Sequence, residues 1–174
     1  TLTSNGFQIL QGNTVVLKNG TLNVNADDAD EFYILVQNYA NLTVKDMNLD
    51  GTNLDKWSLT DGDSYVLSNN SGNVSITGNT IIKANDQGDK AFAFDACKYA
   101  SYDAPVVTLG NDVTINGRVE LTGGQLYHNT EGVEAVVKKS FKGNAGVWGT
   151  ISVPMESADI PTAEAGIHDL YRYD

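Results

Sequence analysis

The carboxylates between Asp50 and Asp63 are the residues best placed, by type and spacing, to do chemistry. Asp50-Gly-Thr-Asn53-Leu-Asp55 brings three oxygen-bearing side chains close together, and Asp61 and Asp63 close the same stretch. A hard cation takes several oxygens at once, so Asp50, Asp55, Asp61 and Asp63 form a candidate calcium set. The stretch does not follow the helix-loop-helix calcium pattern, and a solvated acidic loop is the more ordinary reading. Trp57 lies within it. Sugars lay their apolar faces on aromatic rings while amides and carboxylates hold the hydroxyls. Trp57, Asp50, Asn53 and Asp55, with Tyr102 from a later loop, therefore make up the candidate ligand-binding set. The competing reading has the aromatic rings packing down over the ends of the strands.

Other chemistry finds less support. Asp27, Asp28, Asp30 and Glu31 form a like-charge run that reads as a solvated loop. Cys97 stands beside Lys98, which suggests an activated thiol, but a small buried cysteine is the plainer expectation. As the sole cysteine it makes no internal disulfide, and no Cys/His spacing suits zinc. There is no Gly-x-Ser-x-Gly elbow, and Thr122-Gly-Gly-Gln leads into no helix that would cradle phosphate.

Composition narrows the partners. Lys and Arg number 11 against 22 Asp and Glu, a net charge of −11. With no basic stripe to offset it, that charge repels a nucleic-acid backbone and disfavours an anionic membrane surface. No apolar run reaches the roughly 18 residues that a spanning helix needs. The hydrophobic share, 41% of 174 residues, is enough for one sizeable core. Only 19% of residues are charged, and Asn, Thr, Ser and 17 Gly fill the difference, which favours short strands and turns.

The elements that must position these groups come from a repeated phrase. Phe7–Leu17, Tyr33–Val44 and Tyr65–Ile76 each read as an apolar alternation, an Asn/Gly turn and a second alternation. A third alternation follows a tight step at Lys18-Asn19-Gly20, Lys45-Asp46 and Gly78-Asn79. A looser fourth copy runs from Val106 to Leu121. Tyr33 and Tyr65 are 32 residues apart, as are Leu42 and Val74, whereas Phe7 and Tyr33 are 26 apart. Strands that persist while loops vary describe a solenoid with insertions leaving at fixed corners. Its first prediction is that the Tyr33 and Tyr65 segments stack in parallel. In the fourth copy, Val113-Thr-Ile-Asn-Gly is matched to Val74-Ser-Ile-Thr-Gly, in preference to placing Val106 opposite Val74. Beyond residue 124 the phrase dissolves. Val133–Phe141 and Val147–Val153 are expected to form an antiparallel cap, dividing the chain into coils over 1–124 and a β-rich segment over 125–174.

Phrases such as Leu42-Thr-Val-Lys-Asp46 and Val113-Thr-Ile-Asn-Gly117 resemble the coils of right-handed parallel β-helices of the pectin-lyase-like kind. The tail from Gly146 is similar to segments that follow such repeats in Bacteroides-like surface proteins. The resemblance implies an all-β fold and a cell-surface or secreted bacterial protein, part of a longer chain. The fold hosts lyases, hydrolases and adhesive stalks alike. Lyases of this kind use a carboxylate cluster with calcium and a Lys or Arg base, for which Asp50, Asp55 and Lys56 are the nearest candidates, with Lys45, Asp46 and Arg118 beyond. Glycosidases of this kind use paired acids on consecutive coils, and their Asn-x-Asp, Gly-His-Gly and Arg-x-Lys signatures are missing as a set. The expected function is a non-enzymatic structural or adhesive module, touching a glycan or a host surface protein and needing no cofactor. A calcium-dependent lyase fragment and an inert spacer are the alternatives.

Overall fold

Each apolar alternation becomes a strand, and every ladder between these strands is parallel. The computed structural model describes residues 6–25, 32–55, 62–85, 90–127, 133 and 135–137. The first circuit holds β1 (Phe7–Ile9) and β2 (Thr14–Asn23), and the second β3 (Ile34–Asn38) and β4 (Asn41–Asp50). The third holds β5 (Ser64–Asn69), β6 (Asn73–Thr77) and β7 (Ile81–Lys83). The fourth holds β8 (Ala91–Cys97), β9 (Val106–Leu109) and β10 (Thr114–Asn116). After it come β11 (Arg118–Thr122), β12 (Gln125–Tyr127) and β13 (Ala135–Val137). One sheet runs β1-β3-β5-β8-β11-β13, and the other β10-β7-β4-β6-β9-β12 with β2 beside β4. The molecule is a parallel β-solenoid, as expected, and no helix among the described residues is long and apolar enough to cross a membrane.

The second sheet is folded into two faces. β2 and β4 bend at Asn19 and Asp46, both in left-handed geometry (φ 56° and 52°), which Asn and Asp tolerate best among residues with a side chain. β6 and β9 stack on the first half of β4, through Leu42↔Val74↔Val107 and Val44↔Ile76↔Leu109. β7 and β10 stack on its second half, through Leu49↔Ile82↔Ile115. With the first sheet this gives three faces around one apolar interior. On the first sheet the core column is Val36, Leu67, Phe94 and Val119, each at 0% exposure.

The stacking corrects two registers. Tyr33 is not aligned with Tyr65: Ile34 is, and Phe7 lies beside Val36. Tyr39-Ala40 turns the corner in the second circuit where Asn70-Ser71-Gly72 does so in the third, so a spacing of 32 on one side of the corner is 31 on the other. In the fourth circuit Val113–Asn116 does not repeat Val74–Thr77. Val107 stands opposite Val74, and Thr114 and Ile115 stand opposite Ile81 and Ile82 on the next face. The rejected placement of Val106 was only one residue away, but one residue reverses which side chains point inward. The misleading match arose because Asn-Gly marks more than one corner. Gly78-Asn79 joins β6 to β7, whereas Asn116-Gly117 joins β10 to β11.

The first circuit is less well covered than the second. Val15, Leu17 and Leu22 on β2 are only partly buried, while their neighbours on β4, Leu42, Val44 and Leu49, are 2%, 0% and 0% exposed. At the other end, parallel strands continue past residue 124 as β12 and β13. Val147–Val153, the expected partner of an antiparallel cap, lies outside the described residues, as does everything over 140–174.

Candidate functional site

The structure separates the expected ligand-binding residues onto different corners. Asp50, Asn53 and Asp55 follow the last face of the second circuit, at the corner where the chain returns to the first sheet. There Asp50 Oδ1 accepts bonds from Thr52 N–H at 3.0 Å and Thr52 Oγ1 at 2.5 Å. Those bonds, helped by Lys83, hold its carboxyl below the ordinary carboxylate range. Asn53 Nδ2 donates to the Val24 carbonyl at 2.9 Å, and Asn85 repeats the arrangement on Leu54, so these amides tie one circuit to the next. The Asp55 N–H donates to the Phe32 carbonyl at 2.8 Å. Asp63 Oδ2 lies 3.3 Å from Tyr65 Oη, and its Oδ1 lies 3.7 Å from Lys90 Nζ. Trp57, Lys56 and Asp61 lie outside the described residues. Among the described residues no group of three or more His, Cys, Asp or Glu is disposed to hold a metal ion.

Sequence reasoning missed a buried polar cluster on the first sheet. Asp95 on β8 stands directly beside Glu120 on β11, and the two are 3% and 4% exposed. Asp95 accepts bonds from Asn69 N–H at 2.5 Å and Ser68 Oγ at 3.1 Å. Glu120 accepts one from Tyr65 Oη at 2.5 Å. Tyr65 stacks on Phe92 with ring centroids 5.4 Å apart, and the Arg118 guanidinium lies 5.7 Å from the Phe92 centroid. Burial pushes the Asp95 carboxyl up to about 8; the bonds from Asn69 and Ser68 oppose the rise, and the Glu120 charge adds to it. Cys97 is pushed up to about 12 by burial and then by Asp95 and Glu120, so it holds a neutral thiol and not the activated one that Lys98 beside it suggested. The pair meets the consecutive-coil spacing that the glycosidase reading asked for, but both carboxyls are sealed from solvent and already hold hydrogen bonds. The signal available in the sequence was a carboxylate inside the otherwise apolar strand Ala91–Cys97 and another between Val119 and Leu121.

An open polar groove lies on the corner between the first and second sheets. It encloses about 430 Å³, and Gln11, Asn13, Asn41, Asn73, Tyr39 and Asp103 are among its lining residues. The solenoid builds it by repetition. Each of the first three circuits places an Asn just before or at the start of its second strand, and bonds from backbone N–H groups tie the row together: Asn41 N–H donates to the Asn13 carbonyl at 3.2 Å, and Asn73 N–H to Asn41 Oδ1 at 2.9 Å. Gly72 keeps the floor low. Its φ is +83°, and a Cβ there would collide with the Ala40 carbonyl. Tyr39 is held on edge by Tyr99 at 5.5 Å and Tyr102 at 5.9 Å between ring centroids. Tyr102, from the expected ligand-binding set, packs against Tyr39 and is not itself among the lining residues. The Asn row was visible in the repeated phrase, but as turn chemistry, because nothing in a linear pattern says that corners of successive circuits share one surface.

Comparison with known proteins returns no match: no family model, no curated protein and no solved structure corresponds to the chain.

Proposed function

We propose that this chain is a non-enzymatic, glycan-contacting module of a bacterial cell-surface or secreted protein of the pectin-lyase-like β-helix kind. The carrying observation is the groove, a row of carboxamides beside a tyrosine braced by two others. Carboxamides give and accept hydrogen bonds without charge, as sugar hydroxyls require, and a fixed aromatic ring offers a surface for the apolar face of a pyranose. Asp95 and Glu120 are buried and already hydrogen-bonded, which favours binding over cleavage at that pair.

A glycan array followed by titration of the best hit tests this. Tyr39→Ala is expected to weaken binding about tenfold, the value of one aromatic contact. Asn73 is exposed and its side chain makes no hydrogen bond among the described residues, so Asn73→Ala is expected to weaken binding with no change in melting temperature. A blank array would remove the reading. Unsaturated uronate product, seen as new ultraviolet absorbance, would replace a binding module with a lyase.

A further inference from the structure

We infer that the groove selects uncharged glycans and turns away uronate-bearing ones; this deepens the glycan-binding reading and rests on it. Among the described residues lining the groove, Asp103 alone is charged, and neither Lys nor Arg is present. Asp103 is exposed, so its charge faces any incoming ligand. The protein around it carries a net charge of −11. A uronate entering would shed water from its carboxylate with no cation to receive it, beside a like charge and within a field of the same sign.

The remaining polar groups are matched to hydroxyls. Asn13 Nδ2 donates one of its two N–H groups to the Leu10 carbonyl at 2.8 Å, which leaves the other N–H to donate and Oδ1 to accept. Asn41 spends its Oδ1 on Asn73 N–H at 2.9 Å, which leaves its Nδ2 to donate. A hydroxyl can answer both the free carboxamide oxygen and the free N–H groups, and a carboxylate only the N–H groups. Asn41 and Asn73 sit in register on successive circuits, about 4.8 Å apart, and Asn13 precedes Thr14, the residue opposite Asn41. That step is close to the length of one sugar in an extended polymer. A neutral chain lying along the stack would meet the Asn41 and Asn73 carboxamides on successive sugars.

Titration of the full chain with cellohexaose, mannohexaose, xylohexaose and hexagalacturonate tests the inference, at low and at high salt. At least one neutral oligosaccharide is expected to bind about tenfold or more tightly than hexagalacturonate at low salt. Salt should narrow the gap, because it screens the repulsion at the exposed Asp103. Asp103→Lys should narrow it further by raising hexagalacturonate affinity. Equal or tighter hexagalacturonate binding by the unaltered protein at low salt would overturn the selectivity and leave glycan binding standing. Silence from all four probes would remove the glycan reading itself, and the selectivity with it.

Discussion

Asp95→Asn is expected to make the protein more stable in alkaline solution and to flatten its stability against pH. In the folded state the Asp95 carboxyl titrates near 8, against about 3.9 in an unfolded chain. Between those values the folded protein keeps the proton and the unfolded one does not. The stability linked to that proton is complete below about pH 4, is lost as pH rises, and is gone above about pH 8. Asparagine removes the titration. Its oxygen can still accept from the Asn69 N–H, and its NH2 can donate to the Ser68 hydroxyl, so the local bonds survive. Urea midpoints at about pH 5 and about pH 9 provide the measurement. The wild-type midpoint should fall further between the two than the variant's, corresponding to a difference in unfolding free energy on the order of a few kcal/mol. Parallel curves would mean that Asp95 does not hold its proton in the fold.

Phe94→Ala is expected to cost about 3–5 kcal/mol, the usual range for emptying a sealed aromatic site. Phe94 is fully buried between Leu67 and Val119 of the adjoining strands, so the cavity would open in the middle of the column that three circuits share. Neighbouring turns of a solenoid depend on each other, and the loss should appear as a lower denaturant midpoint for the whole coil. A cost below about 1 kcal/mol would show that the column can collapse around the gap without loss.

The architecture was legible because it rests on local signals. Alternation in Leu42–Val44 and Val74–Ile76 states which side chains share a face, and their equal spacing places one circuit on the next. Register was less legible, since it depends on how many residues each corner takes. Asp46 alone turns one corner, whereas Gly110 to Val113 turn the equivalent corner in the fourth circuit, and no periodicity records the difference. The groove was hidden for a related reason: Asn13, Asn41 and Asn73 become neighbours only after the chain has wound past each of them. Asp95 and Glu120 were overlooked because charged residues were sought in loops, while these two lie inside strands next to Phe94 and Val119.

The uneven sealing of the first and second circuits sets the direction in which order is lost. With Val15, Leu17 and Leu22 half covered, the β2 amides should trade their hydrogens for deuterium well before those of β4, and β4 no sooner than β6. Mass spectrometry of the exchanging peptides would then show a wave of melting that enters at the Thr14 end and travels down the axis. The coil would come undone like a rope unlaid from one end, and not by bursting at its waist.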